Sequence, residues 1–454
     1  MKCVKYIAVM TAMIIISAFF TGIYASAVSF KPKFQIASEA AVMINLDKDI
    51  TVYEKNATKK MYPASLTKIM TAIVVLDNVD DLEHTKYEAP LVVFDDLYLT
   101  GALTLGYCYG EVITVKDLMY SMLVYSACES AGILAYNVGG DSMQNFVDMM
   151  NKKAEEIGCT GTHFVNPHGL HDKKQYTNAH DMALIAEYAI KNYPEFTEIA
   201  CTQEYTLGAT NIHDEGWRKI THSNKMMNMA SEYYYPYAKG IKTGTTDESG
   251  RNLISMAEND GSRYLLVTMG APMYDEDGND VYRNFEDQIK LYEWAFGTLS
   301  YRQIVPKGKE ITEIPVRMGN DQDFVRLVTA ESVEQLWSSE IDENQLKNEI
   351  DVSGYTNEDK SVDAPVSLGQ KLGTYTLSLN GEEICTVDLV AQESVSLSFV
   401  DYNIKMAKDF FGSFWFRLAL IILAVLIVLY AVIVLTVSSK QRRKLKRVRR
   451  SRKF

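Results

Sequence analysis

The sequence predicts an α+β chain ending in a membrane helix, and three observations carry that reading. An apolar helical run over residues 63–76 lies among short strand-like stretches at 41–44, 50–53, 253–256 and 264–269. From about Tyr301 the texture changes to short β runs with polar punctuation, the pattern of a small β-sandwich. Residues 418–437 are twenty positions without a formal charge, followed at once by Lys440-Gln441-Arg442-Arg443-Lys444. That length and flank describe one transmembrane helix with its basic side in the cytoplasm.

In chain order, residues 1–27 read as an export signal. Lys2 and Lys5 open it, residues 6–24 are uncharged and largely apolar, and Ala25-Ser26-Ala27 offers a small-x-small cleavage site. Residues 28–300 then form the mixed helical and β domain, 301–400 the β-rich domain, 410–437 the membrane helix with its lead-in, and 438–454 a basic tail. The strand pair 41–44 and 50–53, split by polar residues 45–49, feeds the helix opening at Pro63-Ala64-Ser65-Leu66-Thr67-Lys68. Thr114-Val115-Lys116-Asp117 has the pattern of a capping box, and Val115, Leu118, Met119, Met122 and Leu123 make an apolar stripe that stops just before Ser126. Met143, Phe146, Val147 and Met150 mark a core helix, residues 181–190 another, and residues 281–296 a closing one. Asn166-Pro167-His168-Gly169-Leu170 reads as punctuation, because Pro and Gly enforce a turn and the nearby histidines lack an i, i+4 metal-ligand pair. Further β runs at 310–316, 323–327, 349–352, 371–379 and 383–390 fill the C-terminal domain.

The chemistry gathers at Ser65 and Lys68. Residues three apart share a helix face, so the amine reaches the hydroxyl, a nucleophile with its base. At the helix start, unpaired N–H groups and the positive end of the dipole favour a developing oxyanion. A lysine is protonated at neutral pH unless burial or a second cation intervenes, so a working site should hold another positive group. Two further motifs follow: Ser126-Ala127-Cys128 on the turn after a helix, and Lys242-Thr243-Gly244 in a strand-like stretch ending in a glycine turn. Ser-x-x-Lys, then a second serine motif, then Lys-Thr-Gly is the ordered signature of penicillin-recognising serine enzymes.

From about Ala37 to Ser398 the chain resembles the D-alanyl-D-alanine carboxypeptidases, the low-molecular-mass penicillin-binding proteins. The matching blocks include Tyr62-Pro63-Ala64-Ser65-Leu66-Thr67-Lys68-Ile69-Met70, Phe164-Val165-Asn166-Pro167-His168-Gly169-Leu170, Asp181-Met182-Ala183 and residues 240–246. The resemblance implies a β-lactamase/transpeptidase-like domain, an antiparallel sheet with flanking helices, followed by a β domain that lifts it from the membrane. It implies Ser65, Lys68 and Ser126 as catalytic residues, with Lys242, Thr243, Gly244, Thr245 and Cys128 at the substrate. Ser126 would relay a proton to the leaving amine, and the N–H groups of Ser65 and Thr245 would form the oxyanion hole. Arg283 is a second candidate for the substrate carboxylate, or a solvated residue at a helix start. The family usually has Asn where this chain has Cys128. Peptidoglycan stem peptides and β-lactams are the implied partners, in cell-wall synthesis and cell shape, and neither cofactor nor metal is implied.

Composition sets bounds. With 454 residues, 47% hydrophobic and 23% charged, there is room for two folded domains. Ten Lys or Arg in residues 440–454, with Lys2 and Lys5, account for twelve cations inside a formal charge of −12, which leaves −24 for residues 28–439. So acidic a body argues against nucleic acid as a partner. Six scattered cysteines, Cys3 among them, give neither a disulfide framework nor metal spacing. Two competing readings remain at this level: a β-lactamase, which shares the motifs but hydrolyses its acyl-enzyme fast, and a weakly active wall-binding protein, suggested by Cys128.

Overall fold

The computed structural model describes residues 30–451, with side chains as far as residue 442; the expected export signal lies outside them. The described chain divides into two compact units, residues 30–301 with 336–341, and residues 302–335 with 342–451.

In the first unit, strands β1 (Ala40–Asn45) and β2 (Ile50–Lys55) precede helices α1 (Thr67–Asn78), α2 (Val115–Tyr120), α3 (Cys128–Val138), α4 (Met143–Ile157) and α5 (Ala179–Asn192). Strands β3 (Ala238–Thr246), β4 (Gly250–Asn259) and β5 (Ser262–Ala271) and helix α6 (Arg283–Thr298) follow, with shorter helices and strand pairs between them. The sheet runs in the order β2-β1-β5-β4-β3 and is antiparallel throughout. The chain thus starts the sheet, leaves for the helices, and returns to lay β5 beside β1. β1 lacks polar alternation because both faces of the sheet are covered. Ala40, Val42 and Ile44 enter the core shared with α1 to α5, while Ala41 and Met43 enter a second core with Phe285, Tyr292 and Trp294 of α6. Successive strand side chains point to opposite faces. Leu336 joins that second core, and Trp294 Nε1 donates to Glu340 at 3.2 Å, so residues 336–341 belong with this unit although they lie past residue 300.

The helix starts follow side-chain chemistry. Thr114 Oγ1 accepts from Asp117 N at 3.0 Å, Ser142 caps α4, and Asn178 caps α5. Only half of the expected capping box forms, because the Asp117 carboxylate accepts instead from the Tyr205 hydroxyl at 2.9 Å. The five described cysteines are free.

The second unit holds β6 (Glu310–Arg317), β7 (Phe324–Thr329), β8 (Leu346–Asp351), β9 (Val362–Asp363), β10 (Lys371–Leu379) and β11 (Glu382–Ala391). They form one six-stranded sheet, β8-β10-β11-β7-β6-β9, with only the short β6–β9 pair parallel. Cys385, Val387, Leu389 and Ala391 are buried in alternation along β11, the period of a sheet with one covered face. The β-rich domain expected after residue 300 is thus present, its strands joined in this sheet. Two helices follow, α7 (Phe399–Gly412) and α8 (Phe414–Ser451). Within α8, Phe414–Arg442 is long and apolar enough to cross a membrane by length and composition, and the helix runs on into the basic tail.

Candidate active site

The nucleophile lies where the chain enters α1. Ala64–Leu66 is a single 3₁₀ turn ahead of Thr67, so Ser65 occupies the helix entrance and Lys68 the first turn of α1. Ala64 adopts φ +47, a backbone state that costs a non-glycine residue on the order of 1 kcal/mol and that only a well-fixed surrounding maintains. Asn252 supplies part of that fixing. Buried in β4, it donates from Nδ2 to the carbonyls of Tyr62 at 3.0 Å and Pro63 at 3.2 Å.

Lys68 is fully buried and its Nζ has three partners: Ser65 Oγ at 3.0 Å, Cys128 Sγ at 3.5 Å and the His168 carbonyl at 2.6 Å. The segment 166–170, read from sequence as punctuation, is thus part of the site. Asn166 Oδ1 accepts from Gly169 N at 2.7 Å and so closes the turn, and the Pro167 carbonyl accepts from Thr71 Oγ1 at 2.6 Å. Gly169 has φ +86, and a Cβ there would lie 2.0 Å from the Ala64 oxygen. Only glycine fits against the nucleophile turn. Burial pushes the His168 imidazole down in pKa; its Nδ1 accepts from Leu170 N, which leaves Nε2–H to donate to Asp96 at 3.1 Å.

Ser126 follows the helical turn Ser121–Tyr125 in the left-handed region, φ +80, and Cys128 opens α3. The bonds Ala127 N to Ser121 O (3.0 Å) and Cys128 N to Leu103 O (2.9 Å) hold this bend. Glu129, also buried, accepts through one oxygen from Leu105 N and from Gly106 N at 3.0 Å, which ties the wall 100–106 to α3. Burial raises its pKa.

On the far side stands β3, the edge strand. Gly244 lets it approach so closely that a Cβ would come 3.1 Å from Ser65 N. Lys242 is fully buried and lies beneath the cleft rather than on its surface, donating to the Thr243 carbonyl at 3.0 Å. Burial, and then the neighbouring Lys68 side chain, push its pKa well below the usual lysine value. Thr243 Oγ1 donates to Ser223 Oγ at 2.7 Å. Below them His222 is completely buried, with its pKa pushed down to about 3 by burial and by Lys242.

These parts enclose a cleft of about 710 Å³ lined by Ser65, Ser126, Cys128, Thr243, Gly244 and Thr245, among others. The sequence-derived residues therefore converge, except that Lys242 underlies the cleft and Arg283 is not part of it. Arg283 pairs with Glu286 at 2.6 Å on the solvent face of α6. Among the described residues no group of three or more His, Cys, Asp or Glu could hold a metal ion. His168, Ser223, Glu129 and Asn252 escaped the sequence reading. For Asn252 a signal existed, a polar residue of low β propensity just ahead of the apolar run Leu253-Ile254.

The chain matches two family models, D-alanyl-D-alanine carboxypeptidase over residues 26–273 and penicillin-binding protein 5, C-terminal domain, over residues 299–396. It is 29% identical to the D-alanyl-D-alanine carboxypeptidase DacF of Bacillus subtilis, over 80% of this chain and 87% of that one. It is also 29% identical to DacC of Escherichia coli, over 84% and 87%. Penicillin-binding protein 5 from Haemophilus influenzae superposes with TM-score 0.55 at 25% identity, covering 81% of this chain and all of that one. The Streptomyces K15 DD-transpeptidase superposes at 0.53 and 25%, covering 59% of this chain and all of that one. Solved variants of it replace a serine with alanine and, two positions on, a cysteine with asparagine.

Proposed function

Since this chain belongs to the D-alanyl-D-alanine carboxypeptidase family, we propose a division of labour among the residues of its cleft. The protein is a serine D-Ala-D-Ala carboxypeptidase and a penicillin-binding protein. Ser65 Oγ attacks the carbonyl of the penultimate D-Ala of a peptidoglycan stem peptide while Lys68 Nζ takes its proton. The oxyanion forms against the N–H groups of Ser65 and Thr245, which the close approach of Gly244 brings together. Ser126 passes a proton to the departing amine, D-Ala leaves, and water releases the shortened peptide from Ser65. The buried charge of Lys242, with the hydroxyls of Thr243 and Thr245, holds the terminal carboxylate. Side chains and water complete this reaction. The observation that carries the assignment is the 3.0 Å contact between Ser65 Oγ and a buried Lys68 Nζ at a helix entrance that faces a cleft.

Mass spectrometry after incubation with penicillin tests it. One adduct on Ser65 is expected; an adduct on another serine, or none, overturns the assignment. Slow release of the adduct is expected, and prompt turnover would make the protein a β-lactamase.

A second reading, a DD-transpeptidase, has one observation behind it. Cys128 follows Ser126 by two positions, the spacing of the serine and cysteine replaced in the K15 DD-transpeptidase variants. Transfer of the acyl group to an added amine, in place of water, would favour it.

The C-terminal apolar helix is a candidate membrane anchor. The basic flank from Lys440 supports a cytoplasmic C-terminus, with the cleft outside. Protease added to intact spheroplasts should then remove residues 28–400 and spare the helix; protection of that region reverses the orientation.

A further inference from the structure

A side-chain pair ties the turn that contacts Lys68 to the wall of the cleft. The short helix Leu91–Leu97 leads into that wall, where Thr100 and Leu103 line the cleft. Val93 and Leu97 are its buried residues, and Val93 comes so near α3 that a Cβ on Gly132 would lie 2.7 Å from it. The missing side chain of Gly132 therefore seats the helix. Asp96, exposed on that helix, accepts from Nε2–H of the buried His168 at 3.1 Å.

A buried neutral imidazole needs a partner for each of its nitrogens. Leu170 N supplies one at 3.2 Å, and the Asp96 carboxylate supplies the other. Together they fix the tautomer. In the alternative, Nδ1–H would face the Leu170 N–H and a bare Nε2 would face the carboxylate. The same hydrogen bond lowers the pKa of Asp96, which keeps the acceptor ionised.

From the ring to the base the path is one peptide unit, between His168 and Gly169. Its carbonyl accepts from Lys68 Nζ at 2.6 Å, and its N–H donates to Asn166 Oδ1 at 2.7 Å. Gln175 holds Asn166 in turn, accepting from Asn166 N at 3.0 Å and donating to its Oδ1 at 3.2 Å. The Asn166 side of the turn is thus braced by Gln175, and the ring of His168 by Asp96. Without that carboxylate a buried N–H loses its acceptor. The ring relieves this by turning toward water, and residue 168 carries its carbonyl with it.

We propose that Asp96 is a positioning residue for the base: by holding the His168 imidazole as the Nε2–H tautomer, it keeps the His168 carbonyl on Lys68 Nζ. The helix that leads into the cleft wall then helps to set the geometry of proton abstraction. This rests on the reading of Ser65 and Lys68 as nucleophile and base, and adds to it a residue on the outer surface.

Penicillin acylation of the full chain in detergent tests it, because a concentration series separates the acylation rate constant from the apparent dissociation constant. Asp96→Leu should lower the rate constant by roughly five- to tenfold, the worth of one hydrogen bond, and leave the dissociation constant unchanged. Asp96→Ala repeats the test without an added side chain. Asp96→Asn, whose Oδ1 still accepts, should recover most of the rate. Asp95→Leu, which removes the neighbouring exposed carboxylate, should change neither constant. A defect confined to the dissociation constant would mean that Asp96 only braces the wall against the ligand, and overturns the proposal. So does an unchanged rate constant in both Asp96→Leu and Asp96→Ala, or an Asp96→Asn variant no faster than they are. Failure of the underlying reading looks different: the parent chain itself forms no penicillin adduct on Ser65.

Discussion

The His168 carbonyl oxygen lies 2.6 Å from Lys68 Nζ, closer than the 3.0 Å from that amine to Ser65 Oγ. A neutral amine has two N–H groups and one lone pair. With the His168 carbonyl and Cys128 Sγ taking the N–H groups, the lone pair is left for the hydroxyl of Ser65. The turn 166–170 therefore aims the base, although no side chain of that turn touches it.

Gly169→Ala should test that aim. The added Cβ would meet the Ala64 oxygen at 2.0 Å in a backbone already at φ +86, so the nucleophile turn must shift. A displacement near 1 Å costs roughly a hundredfold in rate. Penicillin acylation should slow by about that factor, with a lowered melting temperature. Unchanged acylation would remove the turn from the mechanism.

Cys128 is the weak member of the trio around Lys68. A thiol accepts hydrogen bonds poorly, whereas an amide oxygen in its place restores a contact whose absence costs about 1–3 kcal/mol, or roughly ten- to a hundredfold in rate. D-Ala release should therefore rise in Cys128→Asn, and alkylation of the parent thiol should abolish it. If neither happens, Cys128 is a packing residue.

Lys242 should mark the alkaline side of the pH profile. Its carboxylate-holding charge is lost as pH rises through a pKa pushed below 10.5, so kcat/KM should begin to fall short of that value. Lys242→Met should abolish this limb and lower kcat/KM by roughly ten- to a hundredfold, as for a lost hydrogen bond to a charged group. An alkaline limb that persists in the variant would belong to another group.

His222 should mark the acid side of stability. Folded, it stays neutral down to about 3, while the unfolded chain takes up a proton below the usual 6.5. Acid therefore favours unfolding, by about 1.4 kcal/mol per pH unit within that window. Thermal unfolding at pH 7 and pH 5 should show a larger drop for the parent than for His222→Gln. Equal drops would mean that other groups carry the acid sensitivity.

Ser65, Lys68, Ser126, Cys128 and Lys242 could be found in the sequence because short-range spacing and the order of three motifs encode them. His168 could not, since it acts through a main-chain carbonyl that every residue possesses. Ser223 meets Thr243 only through the fold, and nothing local marks it. The burial of Lys242 was equally hidden: Gly240, Ile241 and Lys242 are buried in succession along β3, and the groups whose charges reach its lysine, Lys68 and Cys128, lie far away in the chain. The strands of the first unit were recognised by apolar content even though β1 shows no alternation, because both of its faces are covered.

The sheet order leaves β3 with a strand on one side only. An unpaired edge ordinarily invites another chain to add itself, with aggregation as the hazard. Here the nucleophile turn guards part of that edge, and Lys239 and Glu258 place charges toward its far end, 2.5 Å apart. The part of the edge at Thr243, Gly244 and Thr245 lines the cleft, where an extended peptide can lie against it. A liability of β architecture becomes a docking rail that reads main chain before it reads side chains.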